Sequence, residues 1–252
     1  MFIDTHCHLR DKYEDGIDAV IMHANNAGVG AIICATADPE DIKPALNIVQ
    51  THDNVFVTTG IHPDYVNVNP SEYLTEDVLN NPLVIGVGEI GLDYHYNPQT
   101  RKKQIELFEK QLSIAFEHNM PVAIHTREAE EDTANILTNK YHGVMHCFTS
   151  SWDLAKIMID RGFYFSASGI LTFKNSESIR ETFSKIPIDR IVIETDAPFC
   201  APVPYRGKTC EPSMVIETAK VLAQIKNLQI DELETILFEN TKRLYPRCHV
   251  KL

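Results

Sequence analysis

The sequence predicts one α/β domain folded as a (β/α)₈ TIM barrel with extra C-terminal helices. Three observations predict it. Short apolar, β-rich runs recur eight times, each followed by polar residues and then a segment with helical spacing. Such alternation through a whole chain gives an all-parallel sheet covered by helices. The length of 252 residues matches the roughly 250 of one barrel, and no linker, repeat or low-complexity stretch divides residues 1–252.

In chain order, the strand runs fall at residues 2–4, 31–35, 55–59, 83–87, 122–124, 143–145, 163–166 and 191–193. The clearest helix is predicted over residues 100–118, where Ile105, Phe108, Leu112 and Ala115 mark one apolar stripe. Pro39 after Asp38, and Asp153 after Ser151, supply further helix starts. Eight units favour closure over an open doubly wound sheet, and no G-x-G-x-x-G turn follows Ile3. Beyond the last strand, helical patterns over 212–226 and 231–244 read as closing and capping helices of the same domain.

Composition narrows the function. With 44% hydrophobic and 23% charged residues the chain is of ordinary globular type. A formal net charge of -12 excludes non-specific adhesion to nucleic acid through a basic surface. A polyanionic substrate stays compatible with it, because bound divalent cations invert the local field. The apolar runs are far shorter than the roughly 20 residues of a membrane span, and MFIDTHCHLRDKYED lacks the pattern of a secretion signal. A cytoplasmic protein with no membrane partner is expected. The six cysteines (7, 34, 147, 200, 210 and 248) form no C-x-x-C pair and read as reduced thiols.

The positions of the histidines matter more than their number. His6 and His8 end the first strand run, His62 follows the third, His125 ends the fifth and His146 the sixth; Glu89 follows the fourth and Asp196 the eighth. In a parallel barrel, residues just past the strand ends converge on the C-terminal face, where barrel active sites lie. His6 and His8, two apart on a strand, share a face and suit capture of one metal ion. Glu89 stands in VGVGEIGLD, whose glycines at 86, 88 and 91 are expected to let other groups approach the carboxylate and a bridge between two ions form. Glu194, two residues before Asp196, faces the same way and either handles a proton or makes a structural ion pair. Four imidazoles with two or three carboxylates suit zinc or manganese, or magnesium where carboxylates dominate. His23, His52, His118, His142 and His249 fall in helical or terminal stretches and read as surface residues.

Together FIDTHCHL, GIHP, GEIGLDY, PVAIHTR, HCFTSS, SASGILTFKN and ETDAPFCAPVPYRGK resemble the TatD family of metal-dependent deoxyribonucleases, in order and over nearly the whole chain. The resemblance implies an amidohydrolase-type barrel, two divalent ions and hydrolysis of phosphodiester bonds in DNA. By the same resemblance His6, His8, Glu89, His125, His146 and Asp196 look like metal ligands, His62 like a contact to the scissile phosphate, and Glu194 like a supporting acid beside the nucleophile. Departures are Arg10 and Asp11 where the family commonly has H-L-D, and Cys210 where it commonly has Asn.

The expected chemistry is attack by a water activated between two ions, with Glu89, Asp196 and Glu194 as the catalytic carboxylates. Arg206 and Lys208 in the Pro-rich RGK loop read either as a phosphate clamp beside His62 or as a solvated turn. Tyr94, Phe148, Phe173 and Tyr205 lie in loops on the active face and are candidates for stacking on bases. The expected substrate is single-stranded or frayed DNA shortened from its 3′ end, with no obligate protein partner. Two rivals use the same residues: an esterase or amidase, such as an aminoacyl-tRNA deacylase, and a scaffold that a metal merely staples.

Overall fold

The structure is a computed structural model and describes residues 1–10 and 13–250, so Asp11 lies outside the described residues. Eight strands form it: β1 (Phe2–Cys7), β2 (Val29–Ala35), β3 (Val55–Thr58), β4 (Val84–Asp93), β5 (Val122–Arg127), β6 (Gly143–Met145), β7 (Tyr164–Ala167) and β8 (Ile191–Ile193). They pair in sequence order, each parallel to the next. Backbone bonds from Asp196 N to His6 O (2.9 Å) and from His8 N to Ala197 O (2.6 Å) bring the last strand back to the first. The result is the (β/α)₈ barrel that the alternating pattern predicts.

The helices are α1 (Gly16–Asn26), α2 (Ile42–Thr51), α3 (Glu76–Leu79), α4 (Arg101–Glu117), α5 (Glu130–Ile136), α6 (Trp152–Asp160), α7 (Glu177–Lys185), α8 (Val215–Lys226) and α9 (Ile230–Leu244). Among the described residues, no helix is long and apolar enough to cross a membrane. Between helices and strands lies an outer core including Val20, Ile32, Phe108, Phe165 and Leu222. Inside the ring a smaller core of Ile3, Ile33, Phe56, Ile85 and Val192 fills the end where the strands begin. Leu244 and Tyr245, at the end of α9, belong to that inner core, so the additional C-terminal helix plugs the barrel floor.

Above this floor the interior turns polar. The β1–β2 register shifts between Asp4 and Cys7, and a bulge of this kind re-aims side chains. Cys7 packs in the outer core while His6 and His8 face the mouth. Asp4 is buried and accepts hydrogen bonds from Thr195 N (2.9 Å) and Thr195 Oγ1 (2.5 Å), tying β1 to the segment that carries Glu194 and Asp196. Burial, opposed by those Thr195 bonds, pushes the Asp4 carboxyl well above the usual carboxylate range.

Strand β4 corrects the sequence expectation, in which the strand stops at residue 87 and Glu89 follows it. Pairing with β5 is interrupted between Val87 and Ile90 and then resumes to Asp93, so Glu89 sits at an irregularity inside the strand. The glycines serve the strand's neighbours more than the carboxylate. A Cβ on Gly88 would lie 2.5 Å from the Ala123 side chain, and one on Gly91, at φ +148°, would lie 2.0 Å from the His125 carbonyl oxygen. These positions let β4 press against β5 around Glu89. Gly91→Ala is expected to cost more than about 2 kcal/mol in denaturant unfolding, because strain and overlap add. Gly162→Ala, at φ +84° with nothing within 4 Å of the new Cβ, is expected to cost only about 1–2 kcal/mol.

Candidate metal centre

Glu89 is 4% exposed and sits among five imidazoles at the barrel mouth. Its oxygens face different partners. Oε1 lies 2.9 Å from His125 Nδ1 and 2.9 Å from His146 Nε2, whereas Oε2 lies 3.6 Å from His8 Nε2 and 3.7 Å from His6 Nε2. Asp196 approaches the second group, with Oδ1 3.5 Å from His8 Nε2. The rings of His6 and His146 stack at 3.9 Å and join the two halves.

The histidines are held from behind. His8 Nδ1 donates to the Ala35 carbonyl (2.9 Å), His125 Nε2 bonds Asp93 (3.0 Å) and His146 Nδ1 bonds Glu194 (3.0 Å). Each of these rings thus anchors one nitrogen outward and turns the other toward Glu89. An outer partner of this kind fixes the tautomer of a metal-ligating histidine and raises its basicity. Helix α4 adds two buried glutamines seven residues apart. Gln104 brackets the backbone of Asp93, accepting from its N–H and donating to its C=O at 2.8 Å each. Gln111 does the same for Ile61 at 2.9 Å, which places His62 next to it.

The electrostatics follow from this enclosure. Burial would raise the Glu89 carboxyl, but His146 and the other imidazoles hold it well below the usual range. Burial would lower His146, yet Glu89 and Glu194 hold it well above its usual value; Asp93 and Glu89 likewise raise His125, and Asp196 raises His8. His6 goes the other way, lowered by burial and by the stacked His146. For Asp93, burial is outweighed by hydrogen bonds, first from His125, and the carboxyl is held at about 2.

These residues fit divalent cations. His6 Nε2 is buried with no hydrogen-bond partner and faces a carboxylate oxygen too far away to bond it, an arrangement that is costly unless a cation lies between them. Two ligand groups meet at Glu89: His6 with His8, and His125 with His146. The nitrogen and oxygen donors are those of zinc and manganese sites.

The other expected site residues divide between the cavity and positions away from it. His62 lines the cavity above the cluster, with Nε2 3.9 Å from Glu89 Oε1, and its Nδ1 accepts from Asp64 N, leaving Nε2 as the donor. Glu194, expected beside the attacking water, is fully buried behind His146, where its Oε1 also accepts from Cys147 N. Arg206 lies on the Phe173 ring and donates to Ala201 O, and Lys208 lies over Tyr205, both away from the cavity. Phe148 is buried and Tyr94 donates to Asp132, so neither presents a free face. His23, His52 and His118 pair with Glu211, Asp18 and Glu76, away from the cluster.

Sequence reasoning missed Asp93, Arg10, Arg127, Tyr96 and Phe199. Asp93 was within reach of it, because 89, 91 and 93 alternate along one strand once β4 is carried past Glu89. The others line a cavity of about 580 Å³ over the cluster, Tyr96 and Phe199 at its rim with 63% and 53% exposure.

An eight-stranded barrel whose mouth gathers histidines around a shared carboxylate defines a metal-dependent hydrolase. Residues 3–246 match the family described as TatD related DNase. "Uncharacterized metal-dependent hydrolase YabD" of Bacillus subtilis (strain 168) is 36% identical, with 97% of this chain and 99% of the relative covered. "Uncharacterized metal-dependent hydrolase YcfH" of Escherichia coli (strain K12) is 37% identical, with 96% and 95% covered. The crystal structure of the TatD homologue YJJV from Escherichia coli K12 superposes with a TM-score of 0.89 at 27% identity, covering 97% of this chain and 98% of that one. The chain belongs to the TatD family of metal-dependent hydrolases.

Asp93 and Glu194 generate a test by their position behind the histidines. Asp93→Asn and Glu194→Gln are each expected to weaken zinc binding by about 10–100-fold, the usual cost of losing an outer partner. Competition against a chelating dye measures this, with circular dichroism reporting an unchanged fold.

Proposed function

We propose that this chain is a deoxyribonuclease that uses two divalent ions, zinc, manganese or magnesium, to shorten single-stranded or frayed DNA from its 3′ end in the cytoplasm. The observation that carries the reading is the division of Glu89: one oxygen toward His125 and His146, the other toward His6 and His8. In this arrangement His6, His8 and Asp196 hold one ion, His125 and His146 the other, and Glu89 both. When bound, the ions acidify a water and offset charge on the phosphoryl oxygens.

The remaining work falls to the protein's own groups. His62 Nε2–H, directed at the centre, donates to an oxygen of the scissile phosphate. Asp196, on the cavity wall, accepts the proton of the attacking water. Glu194 touches no substrate and acts as a positioning residue, holding the His146 ring through Nδ1. Arg127 lines the same cavity and takes the phosphate-holding role expected of Arg206 and Lys208, while Arg10, on the same wall, is held by Asp41 at 2.5 Å. Tyr96, with the Arg127 guanidinium 4.7 Å from its ring centre, and Phe199 stand at the exposed rim of the cavity, where aromatic rings suit contact with bases.

Cavity size supports cutting at an end. A space of about 580 Å³ is of the size that takes a small ligand, so it suits one terminal nucleotide better than a continuous duplex. The acidic chain as a whole repels DNA, and divalent ions bound at the mouth would invert the field there.

Digestion of 5′-end-labelled single-stranded DNA by manganese-reconstituted protein tests the proposal. Products shortened one nucleotide at a time are expected. Internal fragments would overturn the terminal mode, and intact DNA with hydrolysed aminoacyl-tRNA would overturn the nuclease reading. Glu89→Ala should lower turnover by at least about a hundredfold, comparable to losing one strong transition-state interaction, while the fold survives.

A further inference from the structure

Beside the histidine cluster lies a second group of ligand atoms, of which the hydrolytic reading uses Asp196 alone. Cys147 follows His146 at the end of β6, and Cys200 lies four residues after Asp196. Their sulfurs and a carboxylate oxygen of Asp196 all lie within 4.8 Å of one another. Asp196 is divided between two neighbourhoods. Its Oδ1 lies 3.5 Å from His8 Nε2, while its Oδ2 accepts a weak Cys200 Sγ–H bond, at 3.5 Å. Cys147 Sγ–H donates to Ser168 Oγ at 3.2 Å. Both thiols line the cavity and are partly exposed, whereas Cys7, Cys34, Cys210 and Cys248 are buried in the protein.

We propose that Cys147, Cys200 and Asp196 form a separate site for a thiophilic divalent cation of the zinc and cadmium class, and that filling it stops hydrolysis by drawing Asp196 away from His8. Two sulfurs and one carboxylate select soft cations over magnesium and manganese. Zinc–sulfur bonds of about 2.3 Å set the two sulfurs of a tetrahedral site roughly 3.8 Å apart, within the spread of the atoms here. The fourth position opens on the cavity. On binding, one M²⁺ replaces the protons of two thiols, M²⁺ + 2 RSH → M(SR)₂ + 2 H⁺, and both protons leave to solvent. The cation site stands independently of the two-ion reading of Glu89; only the loss of hydrolysis rests on that reading.

The test is a cadmium titration of the reduced full-length protein, followed by the sulfur-to-cadmium charge-transfer band in the ultraviolet. This band reports thiolate ligation alone and is blind to cadmium on the histidines. One cadmium per chain should produce it, and zinc should displace it. Cys147→Ser and Cys200→Ser should each weaken cadmium binding by at least about tenfold, the scale on which even outer-shell changes act. No band in the wild type, or an undiminished band in the Cys147→Ser/Cys200→Ser double variant, would overturn the site. In the manganese-loaded protein, cadmium at the concentration that saturates the band should lower DNA turnover at least about tenfold in the wild type and leave the double variant within about twofold. A full band with unchanged turnover would keep the site and overturn its inhibitory role. An inactive protein with a full band would count against the nuclease reading instead.

Discussion

One carboxylate, Glu89, fixes how the barrel mouth is built. Strands β1 and β5 and the segments that follow β1, β3, β6 and β8 bring imidazoles or acids to it, and its two oxygens sort the nearest imidazoles into two groups. Burying a carboxylate is expensive unless it is paired, so the surrounding structure is arranged to pair it. The β4 irregularity carries Glu89 inward, the β1 bulge turns His6 and His8 toward it, and the glycines let β4 sit tight on β5. The backbone bonds that bring β8 back to β1 involve His6, His8, Asp196 and Ala197, so ring closure and site assembly are one event.

Rigidity reaches the site from the outer layer as well. Gln104 and Gln111 on α4 bracket Asp93 and Ile61, and Asp4 secures Thr195 beneath Asp196. None of these touches the cavity centre. They hold the groups that hold the histidines, so small changes in the helix layer are transmitted to ligand positions with little slack in a close-packed interior.

The barrel and the six ligand candidates were legible in the sequence for one physical reason. Parallel strands all end on one face, so apolar runs that stop abruptly at His6, His125 or His146 point to a shared destination without any knowledge of the distances between them. What stayed hidden depends on local departures from ideal strands. The extension of β4 past Glu89 concealed Asp93, whose place on the same strand face is evident only once the interruption is known. Loop conformation decided which side chains line the cavity: Arg206 folded onto Phe173, and Arg10, Arg127, Tyr96 and Phe199 came to the cavity from segments with no periodic signal. Glu194 had two readings from spacing alone, and the structure places it buried behind His146, a position that spacing does not reveal.

The proposed function rests on Glu89 being shared by two ions. Anomalous diffraction from crystals of the manganese-loaded protein measures it directly, because manganese leaves the two thiols unfilled. The account predicts two metal peaks, one on the His6–His8 side of the Glu89 carboxylate and one on the His125–His146 side, with one carboxylate oxygen on each. A single peak, or two peaks that leave Glu89 unligated, would contradict it.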